Sequence, residues 1–290
     1  MTASTLHPAT GRDALEFVDA GHSGRSVTVH SYRPAACGPD DPIVLVQHGA
    51  RRNGDEYRDF WIEAAEKHRL LIVATTYPAD RFPGPESYNN GFVVAEGGGL
   101  RTRDEWIYGI PGRVFAALRA SGVTRRKTAR LFGHSAGAQF SHRLMAIEAH
   151  GTFEAVLSAN AGWYTLPALQ RRFPEGLDGL GFGPEQLAGW LAYPLTILAG
   201  DCDIDTSAEN LPRNPEAMAQ GATRFERAHY FHDFAHREAA RLGLACGWRL
   251  VTVPGVGHDG RAMSKAAAAY WFEGRIPPPS ELNPAPAPVA

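Results

Sequence analysis

The segment Gly133-His134-Ser135-Ala136-Gly137 sets a serine between two glycines, each two residues away. A hydroxyl that attacks a carbonyl has to project from a sharp turn, and glycine on either side removes the Cβ atoms that would collide there. Residues 129–132 read as a short strand before this turn, and Phe140, Leu144 and Ile147 stripe a helix after it. A helix that starts beneath the serine directs its free N–H groups and its dipole at negative charge developing on a substrate. Ser135 is therefore the candidate nucleophile, against the plainer reading of an ordinary strand-to-helix turn.

A serine needs a base, and of the twelve histidines one is placed to serve. His258 lies in Val253-Pro254-Gly255-Val256-Gly257-His258-Asp259-Gly260, a loop after the last expected strand, whose glycines and proline allow a course back to the sheet edge. A carboxylate is needed to orient that ring. Three candidates, Asp201, Asp203 and Asp205, follow the apolar run over 195–198. Their alternation invites calcium, but the loop lacks the glycine and distal glutamate of an EF-hand. His229, His232 and His236 invite zinc, yet no H-E-x-x-H pattern accompanies them. Ala228, Phe231, Ala235 and Leu242 beside them mark the boundary face of a packed helix. No metal site is expected, and His134 reads as a packing and turn residue.

These groups have to be positioned by a scaffold, and the pattern supplies one. Residues 15–18 and 25–32 alternate as two half-buried strands, with a turn over 21–24. From residue 42 the pattern changes to continuous apolar runs, over 42–46 and 70–74, with further strands over 129–132, 154–158, 195–198 and 248–253. Such runs suit strands covered on both faces. Helical stretches separate them: 55–67, a run from Trp106 to Leu118 that Pro111 should kink or restart, then 225–242 and 263–271. Repeated strand–helix units imply an α/β fold with a mostly parallel sheet and helices on both faces. One domain over 13–275 is expected, with residues 1–12 a flexible N-terminus and residues 276–290 a proline-rich extended arm. Residues 161–193 break the alternation and read as a small lid-like insertion. The polar stretch 203–223 reads as a long loop of functional length.

The chain resembles the α/β-hydrolase superfamily, on Gly133-His134-Ser135-Ala136-Gly137 and on Gln47-His48-Gly49-Ala50 at the end of the first buried strand. Over residues 47–61 its style is similar to the polyhydroxyalkanoate-depolymerase and feruloyl-esterase-like branch. The resemblance implies a sheet of about eight strands and the order nucleophile, acid, histidine. It selects Asp203, since similar hydrolases show Gly-x-x-Asp after this strand and Gly200 to Asp203 fits. It also implies that the backbone N–H groups of Ala50 and Ala136 face the oxyanion, or that of Arg51 if the turn is offset by one. Arg51, Arg52 and Asn53 are candidates for the pocket wall, as are Trp163 and Tyr164 and, less directly, Tyr88 and Trp106. The implied function is that of a serine hydrolase acting on carboxylic esters without a cofactor. Peptidase, thioesterase and perhydrolase chemistry would use the same residues, and a non-catalytic small-molecule binding protein could keep the same fold. A dehalogenase or epoxide hydrolase would carry aspartate at position 135.

Composition narrows the partners. A net charge of −2 leaves no basic excess for a polyanion, and Arg125-Arg126-Lys127 reads as a solvated turn, so no nucleic-acid partner is expected. The three cysteines, Cys37, Cys202 and Cys246, form no disulfide framework. With no secretory signal and no apolar run of about 18 residues, a soluble, cytoplasmic protein acting on a small or oligomeric ester is the expectation. Oligomeric state is not legible.

Overall fold

The computed structural model describes residues 5–22, 25–148 and 151–283. Strands β1 (Gly11–Val18) and β2 (Ser26–Arg33) pair antiparallel, from Gly11 opposite Arg33 to Val18 opposite Ser26. Residues 23 and 24 of the expected turn lie outside the described residues. Then follow β3 (Ile43–Gln47), β4 (Leu71–Thr76), β5 (Ala129–His134), β6 (Phe153–Ala159), β7 (Leu195–Gly200) and β8 (Arg249–Val253). They form one eight-stranded sheet in the order β1-β2-β4-β3-β5-β6-β7-β8. β2 meets β4 antiparallel, and every later neighbour is parallel.

The central strands are buried on both sides because successive side chains point to opposite faces, while β8 at the edge is half-exposed. Leu45, Val73, Leu131, Val156 and Ile197 enter one core, while Val44, Val46, Ile72, Phe132, Leu157 and Leu198 enter the other. The first core is covered by α3 (Ile110–Ala120), α4 (Ala136–Ile147), α5 (Pro184–Ala192) and α7 (Arg224–Leu242). The second is covered by α1 (Gly54–Asp59), α2 (Ile62–His68), α8 (Gly260–Glu273) and α9 (Pro279–Leu282). Helix α6 (Pro215–Gln220) lies between β7 and α7. The chain order folds back where β3 lies between β4 and β5, and at such a switch the carboxyl ends of the strands leave a crevice.

Several boundaries differ from the sequence reading. The single helix expected over 55–67 is two, because Phe60 bonds back to Glu56 while Trp61 bonds back only three residues, to Arg58. That tightened turn drops the Trp61 indole wholly into the core. Pro111 restarts rather than kinks its segment, taking the first turn of α3, where no N–H is needed. The stretch 203–223 contains α6 and so is not all loop. Residues 161–193, expected as a lid, pack into the main core through Leu166, Phe173, Leu180 and Trp190.

The described segments near each end are more tightly held than expected. Residues 1–4 lie outside the described residues, but Leu6 is 3% exposed and its carbonyl accepts from the Ser121 hydroxyl. Residues 284–290 also lie outside, yet the preceding stretch forms α9 and buries Leu282 to 2% exposure. Residues 276–283 are thus a closing turn on the second core instead of an extended arm. Leu282→Ala should destabilise the domain by about 2 kcal/mol, read as a lowered urea midpoint at unchanged slope. An unchanged midpoint would return this segment to the surface.

Candidate active site

Ser135 sits between β5 and α4 with φ 58° and ψ −116°, a strained bend for a residue with a side chain. Packing holds it there. A Cβ on Gly133 would run into the Gly137 carbonyl, and one on Gly137 into the Gln47 carbonyl at the end of β3. The Ser135 N–H donates to the Ala159 carbonyl of β6 at 3.0 Å, and the Ser135 carbonyl accepts from Ala138 and Gln139 in the first turn of α4. The bend therefore stands with its hydroxyl at the carboxyl edge of the sheet and the helix N-terminus beneath it.

The histidine arrives on the loop joining β8 to α8. Its Nε2 lies 2.9 Å from Ser135 Oγ, and its Nδ1 lies 2.7 Å from Asp203 Oδ2. Two backbone bonds zip this loop to the acid's loop: Asp201 N–H to the Val253 carbonyl and Cys202 N–H to the Val256 carbonyl. Asp259 then ends the loop by accepting from Arg261 and Ala262 at the start of α8. Of the three carboxylates considered, Asp203 is buried beside the ring. Asp201 accepts from the Gly255 N–H at 2.7 Å, and Asp205 is exposed and caps Ser207.

Two residues that the sequence reading missed hold this arrangement. Asn160, at φ 49° just past β6, accepts from the Gly200 N–H and donates to the Gly257 carbonyl, both at 2.9 Å. It thus fastens the acid's strand to the histidine's loop. Arg224, wholly buried at the start of α7, reaches Asp203 Oδ1 at 3.5 Å and Asn210 Oδ1 at 2.7 Å. Neither had a spacing signal, since each works through contacts between distant segments.

His134, inside the bend, lies with its ring 4.8 Å from that of His258 and tilted to it by 36°, and its Nδ1 meets the Tyr57 hydroxyl at 2.7 Å. Burial holds its pKa well below the ordinary histidine value, so it stays neutral. Burial likewise takes His48 down to about 3, and lowers His142 far below its usual range.

Two hollows meet at Ser135. One, of about 520 Å³, is lined by Ala50, Arg52, Asn89, Gln139, Trp163 and Asn210, among others. The second, of about 330 Å³, is bordered by Arg51, Asn53, Tyr57, Asn210, His258 and Arg261. Ala50 belongs to both walls, and Ala136 to the first. Trp163 and Tyr88 stand at the larger hollow, with the Tyr88 hydroxyl tied to the His48 carbonyl. Arg51 is mostly exposed and ion-pairs Glu56. Tyr164 corrects the sequence reading: it is fully buried, stacked on Phe231 at 4.4 Å, and is not a wall of either hollow. Trp106 is also a core residue, its indole N–H donating to the Arg101 carbonyl. Of the histidine stripe on α7, His236 hydrogen-bonds the Trp248 carbonyl, and its ring meets that of His232.

No model of a known protein family matches the sequence, and no curated protein does. Solved structures do. A poly(3-hydroxybutyrate) depolymerase, LpqC, from Bordetella parapertussis is 50% identical, over 94% of this chain and 92% of its own, with a TM-score of 0.91. The chain belongs to the α/β-hydrolase superfamily, in its esterase and depolymerase-like branch. Poly(aspartic acid) hydrolase-1 from Sphingomonas sp. KT-1 is 34% identical, over 89% of this chain and 97% of its own, with a TM-score of 0.86. A siderophore hydrolase, EstB, from Aspergillus nidulans shares the fold at 13% identity, over 94% of this chain and 99% of its own, with a TM-score of 0.56. Among the described residues of this hydrolase, no helix is long and apolar enough to cross a membrane.

Histidines that burial holds below their ordinary pKa, His48, His134 and His142 most strongly and His22 and His30 beside them, set an acid limit on stability. Unfolding exposes them to water, where each takes a proton near its ordinary pKa of about 6.5, while the folded state refuses it. The unfolded state then binds more protons, so stability is full above that pH and falls as pH drops below it. His48, His134 and His142 alone should bring the loss toward about 4 kcal/mol per pH unit, at roughly 1.4 kcal/mol each, and His22 and His30 add to it. Urea titrations between pH 7 and 5 should show a falling midpoint, with the slope reduced by about one proton in His134→Gln.

Proposed function

We propose that this carboxylic ester hydrolase works by two-step acyl transfer through Ser135. The observation that supports it most is the unbroken line from Ser135 Oγ through the His258 ring to the buried Asp203 carboxylate, at 2.9 and 2.7 Å. His258 Nε2 takes the hydroxyl proton as Oγ attacks the carbonyl carbon. Asp203 keeps the Nδ1 proton in place and offsets the positive charge that the ring gains. The tetrahedral oxyanion accepts from the backbone N–H groups of Ala50 and Ala136, a pair worth about 2.7–4 kcal/mol per donor. The alcohol leaves with the proton from His258, forming the acyl-enzyme. Water, deprotonated by the same ring, then releases the acid and restores the serine.

The two hollows give this chemistry two sides, one for the acyl part and one for the leaving alcohol. Similarity to a polyester depolymerase supports an oligomeric ester of a hydroxy acid as the substrate class. A second reading, cleavage of an amide by the same residues, is supported by similarity to poly(aspartic acid) hydrolase-1. A panel of paired esters and amides separates the two by relative turnover.

Ser135→Ala should lower p-nitrophenyl ester turnover by at least about 10⁴-fold with an unchanged thermal midpoint, and the unsubstituted protein should be labelled by a fluorophosphonate at this residue. Turnover close to that of the unsubstituted protein would remove the nucleophile. Asp203→Asn should cost about 10⁴-fold in kcat, because the amide favours the wrong tautomer of the ring. Asp201→Asn should cost less than about tenfold, since its carboxylate accepts from the Gly255 N–H and the Cys202 thiol and does not touch the His258 ring. The reverse ranking, read from kcat of both variants, would move the acid to 201.

A further inference from the structure

The larger hollow is flanked by three guanidiniums that form no close ion pair among the described residues. Arg52, half-buried in its wall, donates to the carbonyls of Tyr77, Phe82 and Gly84 and stacks 4.3 Å over the Tyr88 ring. Arg143, wholly buried, donates to the Thr165 hydroxyl, the Asn89 carbonyl and the Asn90 amide oxygen, 5.3 Å from the Trp163 ring. Arg227, equally buried, donates to the carbonyls of Gly221 and Gly162. Asn89, Asn90, Gly162 and Trp163 all belong to the cavity wall, so the two buried cations stand directly behind it.

Among the described residues, none of these three guanidiniums has an ion-pair partner within 4.0 Å, and the wall contains no aspartate or glutamate. Glu226, the acid adjacent to Arg227 in sequence, accepts from the backbone N–H groups of Ala222 and Thr223 at the start of α7. Asp203 is shared between His258 and a fourth guanidinium, that of Arg224. The rest of the wall is rich in amides, from Asn89, Asn90, Gln139, Asn210 and Asn214.

Burying a cation beside neutral acceptors alone is costly. A cleft with low-dielectric walls and one sign of charge concentrates ions of the other sign. We infer that the larger hollow takes the acyl part of an ester that carries its own carboxylate, the anionic group lying among Arg52 and the wall amides. The inference rests on the serine-hydrolase reading of the same site. The shared chemistry is a carboxylate on the acyl chain, whether it ends a short acid or terminates an oligomer.

The test uses the full chain and a matched pair of substrates: 4-nitrophenyl hydrogen adipate, which is anionic, and its methyl-capped neutral analogue. At low ionic strength the anionic ester should have about tenfold higher kcat/KM. In about 0.5 M KCl the ratio should fall toward one, since salt screens the field. Arg52→Met should reduce the ratio several-fold, while Arg119→Gln, on α3 away from both hollows, should retain it. The salt series on the unsubstituted protein decides the matter even if Arg52→Met does not fold. Equal turnover of the two esters, or a preference for the neutral one at low salt, overturns the inference and leaves the hydrolase reading standing. Turnover of neither ester would overturn both.

Discussion

The bend at Ser135 is the constraint on which the rest of the structure depends. A residue with a side chain at φ 58° is strained by about 1–3 kcal/mol, and it holds such a conformation only where its surroundings leave no alternative. Here those surroundings are three strands and a helix. The β6 carbonyl of Ala159 takes the serine N–H, the carbonyl of Gln47 at the end of β3 crowds Gly137, and α4 closes its first turn on the serine carbonyl. Because the parallel strands share one carboxyl edge, the same geometry brings the ends of β3, β6, β7 and β8 around the hydroxyl. Loops after those strands then need to travel only a short way, and hydrogen bonds between the loops set the final distances.

A charge argument explains the surroundings of the base. In the proposed reaction His258 becomes cationic while another imidazole lies 4.8 Å away. A cation there would oppose each proton transfer, so the fold benefits from a His134 that burial keeps neutral. The Tyr57 hydroxyl on its Nδ1 fixes that ring in place. Asp203 supplies the favourable charge, and Arg224 holds the carboxylate from its other oxygen. A guanidinium so close also weakens the pull of Asp203 on the imidazolium. In that proposed reaction the carboxylate at Asp203 would orient the ring from one oxygen while Arg224 holds the other.

Much of this was legible in the sequence where one segment carried its own signal. The doubly buried strands announced themselves as apolar runs, and the Gly-x-Ser-x-Gly turn stood between a strand and a striped helix. Gly255 and Gly257 marked a loop able to return to the edge. What was not legible was whatever depends on contacts between segments. Asn160 and Arg224 look like ordinary polar residues until β7, the histidine loop and α7 converge on them. Tyr164 read as a pocket residue because aromatics suit pockets, yet its neighbour Trp163 faces the cavity while its own ring turns to Phe231. Leu282 was hidden among prolines, where composition suggested an arm and gave no sign of the groove that receives it.

The two hollows differ in a way that bears on which half of a substrate each receives. Around the smaller one the charges are of both signs: Arg51 pairs with Glu56, Asp259 caps α8, and Arg261 lies over the Phe60 ring. Those groups are largely exposed, so water and salt screen them and little net field remains. Around the larger one the cations are enclosed and their partners are neutral, so the field is screened far less. The same desolvation that makes Arg143 and Arg227 costly to bury keeps their attraction for an anion strong. The guanidiniums there also tie the wall together, Arg143 through Thr165, Asn89 and Asn90 and Arg227 through Gly162 and Gly221, so the groups that shape the larger hollow are the same ones that would draw an anion toward the serine.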